Sequence, residues 1–308
     1  MKKTFLTLCF SLLSFSASMA QKSINPLPPV LPGEEGRADA WHLAWHDEFD
    51  GSGDFDAKKW QSEVGFLRNE EDQWYQPDNT YRQNGLLVIE GRLDSIPNPG
   101  YRPRQEEGQG GRRRGGGDWR SRRPYAKYSS GSINTRYSYS FLYGRMEVRA
   151  RIPAVEGSWP AIWTLGTQRE WPSNGECDVM EFYHINGVPH ILANAAWGND
   201  RQWQAVWNTK RIPYQHFLEK DAWWGEKFHT WLMDWTPDYI RIYLDGELLN
   251  DIDLSTTVNG SIGDYANPYH SPQYILLNLA IGGQNGGNIQ PDAFPMRYEV
   301  DYVRVWQK

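Results

Sequence analysis

The sequence predicts an all-β protein built as an antiparallel β-sandwich. Short apolar segments of strand length recur from residue 41 to the C-terminus, separated by turn residues such as Gly, Asn and Asp. No long stretch shows the 3.6-residue apolar period of a helix; only residues 214–219 could form a turn or two. A chain of 308 residues with 39% hydrophobic content suits one large domain of this class.

The first forty residues precede the predicted domain. Residues 1–20 open with Met1-Lys-Lys, continue with an apolar core and end in Ser18-Met-Ala20, the pattern of a secretory signal peptide. Residues 21–40 are rich in proline and predict a flexible or extended leader. We therefore expect an exported protein that is periplasmic, secreted or on the cell surface. Cleavage after Ala20 would leave Cys177 as the one cysteine, without an internal disulfide.

The predicted strands follow one another from Trp41. Residues 85–91 form a buried strand, and Asn84-Gly85 supplies the turn before it. Apolar residues also alternate along a strand between Phe141 and Ile152, where Gly144 shifts the register. The glycine-rich segment 282–287 lacks the spacing of a phosphate-binding loop and predicts a turn at a rim. The remaining strands are predicted at residues 159–165, 175–183, 190–197, 231–235, 239–244, 274–281 and 297–306.

Residues 97–128 interrupt this pattern with many arginines and glycines and few acids. Such a segment could bind RNA, but a net charge of -6 and the predicted export argue against a nucleic-acid partner. We expect a long mobile loop inserted between two strands. Alternatively, the loop overhangs a substrate cleft, where Arg112 to Arg123 would attract an anionic substrate.

Three carboxylates lie close together in residues 171–183, WPSNGECDVMEFY. In a regular strand Glu176 and Asp178 share one face, whereas Glu181 points into the core, where an unpaired charge costs several kcal/mol. A one-residue bulge near Met180 would bury Met180 and return Glu181 to the face of the other two acids. A solvated face or a calcium site is the alternative, although calcium usually takes oxygen ligands from a flexible loop. Acids on a buried strand instead indicate the nucleophile and general acid/base of a glycosidase.

Five motifs in order resemble glycoside hydrolase family 16, the laminarinase, agarase and carrageenase family. They are FLYGRMEVRARIP at 141–153, GSWPAIWTLG at 157–166, ECDVME (the ExDxxE signature) at 176–181, FHTWLMDWTP at 228–237 and VDYVRVW at 300–306. The resemblance runs from about His46 to the C-terminus, and the chain is identified as a member of the family. It implies a concanavalin-like jelly roll with a concave substrate cleft, with residues 41–308 as the catalytic domain.

The resemblance also implies the chemistry. Glu176 matches the nucleophile and Glu181 the general acid/base. Asp178 matches the carboxylate that hydrogen-bonds Glu176 and helps to hold the pair in unequal protonation states. Such a pair cleaves β-linkages with retention, because water resolves a glycosyl-enzyme with Glu181 acting as the base. No cofactor is required.

The aromatic content fits an oligo- or polysaccharide partner, since 14% of the residues are aromatic and 16 are Trp. Flat rings can stack on sugar faces, although core packing is the alternative for each tryptophan. Asn69 resembles a family position that lines the cleft, with an acidic solvated loop as the alternative for its neighbours. The residues predicted to bind substrate are Asn69, Trp159, Trp163 and Trp171.

Two departures from the laminarinase pattern leave the polymer open. Laminarinases usually carry a histidine near the end of the strand after the catalytic one, where residues 192–197 here read LANAAW; the insert is also unusual. We expect an endo-acting, laminarinase-like enzyme that cuts a β-1,3- or β-1,3(4)-glucan. The alternative is an endo-β-galactosidase or O-glycanase acting on galactans or host glycans. A transglycosylase would keep the same acids, whereas a binding module would lose a glutamate.

A structural calcium ion is a further expectation from the resemblance. Glu48, Gly85 (through its carbonyl) and Asp301 match positions that often hold this ion in the family. Oxygen-only ligands that join the two ends of the domain suit calcium, and an acidic surface is the alternative. No membrane span is predicted, and we expect a monomer.

Overall fold

The computed structural model describes residues 26–31, 34, 40–103 and 118–308. Strands dominate these residues: β1 (His42–Asp47), β2 (Gln61–Ser62), β3 (Gln73–Tyr75), β4 (Thr80–Gln83), β5 (Leu86–Pro97), β6 (Tyr125–Ser130), β7 (Ser132–Asn134), β8 (Gly144–Arg151), β9 (Ser158–Gly166), β10 (Glu176–Ile185), β11 (Val188–Gly198), β12 (Ala205–Pro213), β13 (His229–Trp235), β14 (Tyr239–Leu244), β15 (Glu247–Asp253), β16 (Gln273–Ile281) and β17 (Met296–Gln307). The α-helix α1 spans Gln215–Lys220. Short 3-10 helices lie at Pro77–Asn79, Trp119–Ser121, Trp224–Glu226, Leu254–Thr256, Ser261–Gly263, Pro268–His270 and Pro291–Ala293.

The strands form two sheets. The larger has the order β15-β14-β13-β8-β17-β5-β6-β3, with β1 added to β17 and β4 to β5. The smaller sheet has seven strands in the order β12-β11-β10-β9-β16-β7-β2. Neighbouring strands are antiparallel except for β3 and β6, which pair in parallel. The predicted antiparallel sandwich is therefore confirmed, with one parallel pair at the edge of the larger sheet.

The core fills the space between the two sheets. On β8, Met146 and Val148 are fully buried, and on β10 so are Val179 and Phe182. Because side chains alternate with period 2, the intervening side chains lie on the outer faces of the two sheets. Cys177 is a free thiol in the same core. Among the described residues, no helix has the length and apolar character needed to cross a membrane.

Two tight hairpins follow from their turn residues. Asn84 and Gly85 join β4 to β5 with φ angles of 56° and 75°. Asp245 and Gly246 join β14 to β15 with φ angles of 48° and 82°. Two successive positive φ angles give the backbone twist that a two-residue hairpin needs, and Asn, Asp and Gly adopt them at least cost. The turn predicted at Asn84-Gly85 is confirmed.

Part of the predicted leader contacts the outer face of the larger sheet. Arg145 lies on that face, because its neighbour Met146 points into the core. Its guanidinium donates to the carbonyl of Pro29 at 2.6 Å and forms ion pairs with Glu34 and Asp234. These contacts bury Arg145 almost completely. The predicted signal peptide, residues 1–20, lies outside the described residues.

The predicted insert, residues 97–128, begins at the end of β5 and ends within β6, and these two strands pair with each other. Residues 104–117, which include Arg112 to Arg114, lie outside the described residues. At the base, Asn98 Nδ2 donates to the carbonyls of Arg120 and Arg123 at 2.7 and 2.8 Å. The two ends of the insert are therefore joined by hydrogen bonds.

Candidate active site

The strand β10 contains the predicted bulge. Asp178 pairs with Asn194 of β11, but the register has shifted by the time the strand reaches Glu181. The pairing with β9 shifts between Asp178 and Met180. Met180 is fully buried in the core, and Glu181 faces the same cleft as Glu176 and Asp178. The extra residue resolves the conflict between strand alternation and a buried charge, as expected.

The cleft lies on the outer face of the seven-stranded sheet and has a volume of about 710 Å³. Strands β9, β10, β11, β12 and β16 all contribute side chains to it. The structure brings the three carboxylates and the four predicted sugar-binding residues together in this one cleft. The residues that line it are Arg68, Asn69, Glu71, Trp159, Ala161, Trp163, Leu165, Trp171, Glu176, Asp178, Glu181, Tyr183, Asn194, Trp207, Thr209, Arg211, Asn278, Gln284 and Asn285.

Each of the two glutamates accepts a hydrogen bond from an indole. Trp159 Nε1 donates to Glu181 Oε1 at 2.7 Å. Trp171 Nε1 donates to Glu176 Oε2 at 2.8 Å. Both indoles therefore orient a carboxylate, a role that the sequence analysis did not assign to them. Their use as stacking platforms stays a prediction.

Trp163 is more enclosed than a free stacking platform would be. Its side chain is 8% exposed, and its Nε1 donates to Asn278 Oδ1 at 2.7 Å. The guanidinium carbon of Arg68 lies 5.1 Å from the ring centroid, so a cation covers part of the ring. Stacking of a sugar on Trp163 likewise stays a prediction.

Asn194 connects two of the carboxyl groups. Its Nδ2 donates to Glu181 Oε2 at 2.8 Å and to Asp178 Oδ2 at 3.1 Å. Asp178 is in turn hydrogen-bonded to Glu176. One hydrogen-bonded chain therefore links all three carboxyl groups. Asn194 lies in the unusual segment 192–197, but its contact with the two acids was not predicted from the sequence.

The carboxyl groups differ in their tendency to hold a proton. Burial in the cleft raises the pKa of Glu181 to about 7, and the negative charge of Glu176 adds to this. Burial, with the charges of Glu181 and Glu176, raises the pKa of Asp178 well above its usual range. Burial also raises the pKa of Glu176, but hydrogen bonds from Trp171 and Asp178 act in the opposite direction. The positive charge of Arg68 also favours the anion of Glu176, whereas neighbouring carboxylates disfavour the anions of Asp178 and Glu181.

Strand β12 adds side chains that the sequence analysis missed. Trp207, Thr209 and Arg211 stand at alternate positions and all face the cleft. In the sheet register, Arg211 is opposite Leu192, and Leu192 is opposite Glu181. Thr209 is opposite Asn194 in the same way. The alternation of Trp, Thr and Arg between residues 205 and 213 was the available sequence signal.

The loop that carries Asn69 is held from two sides. Gln284 donates its backbone N–H to the carbonyl of Asn69 at 3.0 Å, so the glycine-rich segment 282–287 forms a rim turn as predicted. From the other side, Arg123 donates to the carbonyls of Glu71 and Glu70 at 2.9 and 3.1 Å. Arg123 also lies 3.0 Å from the carboxylate of Asp72. A described arginine of the insert therefore fixes one wall of the cleft.

The predicted calcium ligands have other polar contacts. Arg304 donates to both carboxylate oxygens of Glu48 at 2.9 and 2.7 Å. Arg149 donates to Asp301 Oδ2 at 2.7 Å. In the described part of the chain, no three His, Cys, Asp or Glu side chains are grouped so that they could hold a metal ion. A calcium ion at Glu48, Gly85 (through its carbonyl) and Asp301 stays a prediction.

Comparison with known proteins identifies the family. The model for glycosyl hydrolases family 16 matches residues 120–304. A "Beta-glucanase" of Rhodothermus marinus is 32% identical over 289 residues, which are 88% of this chain and 87% of the relative. The chain belongs to glycoside hydrolase family 16. It is an endo-acting glycoside hydrolase with the jelly-roll fold of that family.

Solved structures also resemble the chain. One is a structure of SCLam, a non-specific endo-beta-1,3(4)-glucanase from family GH16, with 32% identity and a TM-score of 0.67. The match covers 91% of this chain and 94% of the SCLam chain. Another comes from work on endo-acting O-glycanases that members of the human gut microbiota express to initiate mucin breakdown. This structure has 31% identity and a TM-score of 0.74. The match covers 91% of this chain and 93% of the other chain.

Proposed function

We propose that this family 16 hydrolase cuts internal β-linkages with retention of configuration, using Glu176 as nucleophile and Glu181 as general acid/base. The observation that carries the proposal is the bulged strand, which puts both glutamates on the cleft face and gives each an indole donor. Retaining glycosidases need two carboxyl groups about 5–5.5 Å apart. The hydrogen-bonded chain through Asn194 and Asp178 supports such a short separation.

In the first step Glu176 attacks the anomeric carbon while Glu181 protonates the departing glycosidic oxygen. A pKa of about 7 keeps Glu181 protonated at mildly acidic and neutral pH, so it can act as the acid. In the second step Glu181, now ionised, removes a proton from water, and that water attacks the anomeric carbon and releases the Glu176 carboxylate. Trp159 and Asn194 donate to the carboxylate of Glu181 and stabilise its anionic form in this step.

Asp178 controls the nucleophile. Its raised pKa makes it the hydrogen-bond donor to Glu176, which therefore carries the negative charge. The hydrogen bond orients the Glu176 carboxylate and weakens as its negative charge is neutralised in the glycosyl ester. No step in this sequence uses a cofactor.

The first substrate candidate is a β-1,3- or β-1,3(4)-glucan. The similarity to a β-glucanase and to an endo-β-1,3(4)-glucanase supports it. The second candidate is a glycan with β-linked galactose, as in galactans or mucin-type chains. The segment 192–197, LANAAW, favours the second, because it lacks the histidine that laminarinases usually carry near the end of this strand. The likeness to the O-glycanase structure also supports it.

A screen of defined polymers tests the proposal. Laminarin, mixed-linkage glucan, a β-galactan and mucin O-glycans are each incubated with the enzyme, and products are sized and examined by NMR. We expect oligosaccharides of intermediate length whose new reducing ends first appear as the β-anomer. Early release of the α-anomer from a β-linkage would contradict retention. Adding an acceptor oligosaccharide tests for transglycosylation, which would give longer products.

We further propose that the enzyme is an exported monomer. The signal-peptide pattern of residues 1–20 supports export, and a large hydrophobic core formed within one chain supports the monomer. Fractionation of expressing cells and light scattering of the purified protein test the two statements separately.

A further inference from the structure

Strand β12 is the edge of the sheet that carries the cleft. Its side chains alternate, so Trp207, Thr209 and Arg211 face the cleft while Lys210 faces the other way, opposite the core residue Ala193. Trp207 is 47% exposed and Arg211 is exposed as well. This end of the cleft therefore offers a flat ring and a cation to solvent.

The two arginines of the cleft differ in their partners. Arg68 lies 2.8 Å from Glu63 and 3.7 Å from Glu71, so acids of the protein balance its charge. Within the described part of the chain, the guanidinium of Arg211 has no carboxylate within 4.0 Å. No carboxylate of the described residues therefore neutralises the charge of Arg211, so its guanidinium can pair with an anionic group of a ligand.

The register fixes the position of Arg211 relative to the bond that is cut. Glu181, Leu192 and Arg211 form one row across β10, β11 and β12. Two strand spacings put Arg211 about 10 Å from the backbone of the acid/base. A glycan that lies across the strands would therefore put a sugar over Arg211. This sugar would be close to the cleavage site, but it would not be the sugar whose bond is cut. Trp207 stands at the corresponding end of the row that contains Glu176.

We propose that Arg211 and Trp207 form an anion-recognising subsite, in which Trp207 contacts a sugar ring and Arg211 pairs with an acidic group on it. The inference rests on the proposed endo-glycosidase function and narrows its substrate to glycans with acidic substituents. A planar guanidinium suits a sulfate ester or a carboxylate, because both accept two parallel hydrogen bonds. Binding such a group would stabilise the complex without touching the reacting atoms.

The test compares acidic glycans with their neutral forms. The substrates are a sulfated galactosyl glycan and the same glycan after desulfation, and a sialylated glycan and the same glycan after desialylation. For each pair we measure the ratio of kcat/KM, acidic over neutral. Arg211→Gln is expected to lower the ratio for at least one pair by about tenfold, the usual scale of a charge-assisted hydrogen bond. If the ratio falls for the sulfated pair, the subsite recognises a sulfate ester; if it falls for the sialylated pair, the subsite recognises a carboxylate.

Lys210→Gln is the matched control, because it removes the same charge one residue away on the opposite face. We expect it to leave the ratio unchanged. An unchanged ratio in Arg211→Gln would overturn the inference. An equal fall in both variants would also overturn it, since the effect would then come from the long-range field.

Binding measurements separate this inference from the proposed function. If the wild type cuts only neutral polymers, calorimetry with the same glycan pairs decides the matter. Tighter binding of an acidic form that Arg211→Gln abolishes would support the subsite, whereas equal binding of both forms would overturn it. Failure to cut any β-linked polymer would contradict the proposed function instead. A thermal melt and circular dichroism spectrum of each variant confirm that it is folded.

Discussion

Asn194 places its side-chain nitrogen 2.8 Å from Oε2 of Glu181. The amide of Asn194 does not titrate, so it stays neutral over the whole working pH range. Its hydrogen bond favours the ionised form of Glu181 and so opposes the rise in pKa that burial causes. The pKa of Glu181 is therefore lowered by a group that does not itself titrate.

Asn194→Ala should move the basic limb of the pH profile of kcat/KM to higher pH. Without the donor, the pKa of Glu181 rises above about 7, and the acid stays protonated over a wider range. Rates measured from pH 4 to 10 check this. Thr209→Val, directly opposite Asn194 on β12, is the control and should leave the basic limb in place. A shift to lower pH in Asn194→Ala would show that the amide does not favour the anion.

The assignment of nucleophile and acid/base can be tested with azide. Glu176→Ala and Glu181→Ala should fold and lose activity by about a thousandfold. With an activated aryl glycoside, azide should rescue Glu176→Ala and give the α-glycosyl azide, because it replaces the missing nucleophile. In Glu181→Ala it should attack the covalent intermediate and give the β-glycosyl azide. The opposite pair of anomers, read by NMR, would reverse the two roles.

Glu181→Gln should stabilise the fold at alkaline pH at the expense of activity. The pKa of Glu181 is about 7 in the folded protein and 4.5 ordinarily, so the folded state binds more protons between these values. Stability is therefore lost as pH rises from 4.5 to 7 and stays reduced above it. We expect a gain of about 1–3 kcal/mol in the unfolding free energy at pH 8. Urea titrations should show no gain at pH 4, where both side chains are neutral; a gain there of equal size would contradict this explanation.

Arg123→Ala should weaken substrate binding without a large change in chemistry. It removes the hydrogen bonds that hold residues 70–72, next to Asn69 and Arg68 in the cleft wall. We expect KM to rise severalfold while kcat stays within about twofold. Lys127→Ala, an exposed residue of the neighbouring strand β6, is the control and should change neither constant. A fall in kcat alone would mean that the insert contributes to the reacting geometry instead.

Calcium should raise the melting temperature and leave the rate unchanged. Glu48 follows β1 and Asp301 lies in β17, so an ion that binds both would tie the two ends of the domain. An ion that binds only the folded state stabilises it by mass action. Thermal melts with added calcium and with a chelator measure this effect, alongside elemental analysis. Identical melts with no metal found would remove the calcium site and leave an ion-paired surface.

The bulge of β10 could be predicted from the sequence, because a regular strand would have buried the charge of Glu181. Strand alternation and the cost of a buried charge could not both hold for Glu181 unless the strand bulged, and Met180 was the residue that could move inward. The hairpins at Asn84 and Asp245 were predictable for a similar reason, since few residues other than Asn, Asp and Gly adopt positive φ at low cost.

The missed features depend on contacts between distant residues. Asn194 reaches Glu181 only because of the register of β11 against β10, which alternation alone does not fix. Arg123 meets Glu71 across 52 residues and an insert of unusual composition. The strand β12 is largely exposed at the edge of its sheet, so it lacks the apolar face by which the other strands were predicted.

The distance between neighbouring strands of the seven-stranded sheet is also close to the repeat length of a glycan substrate. Neighbouring strands lie about 4.8 Å apart, close to the length of one hexose in an extended β-linked chain. A glycan crossing the sheet would therefore meet a new strand with nearly every sugar. Preference for each sugar can then change strand by strand, while β10 and its acids stay the same. A sheet of this kind lets one cutting reaction diversify over many polymers through substitutions at its edge.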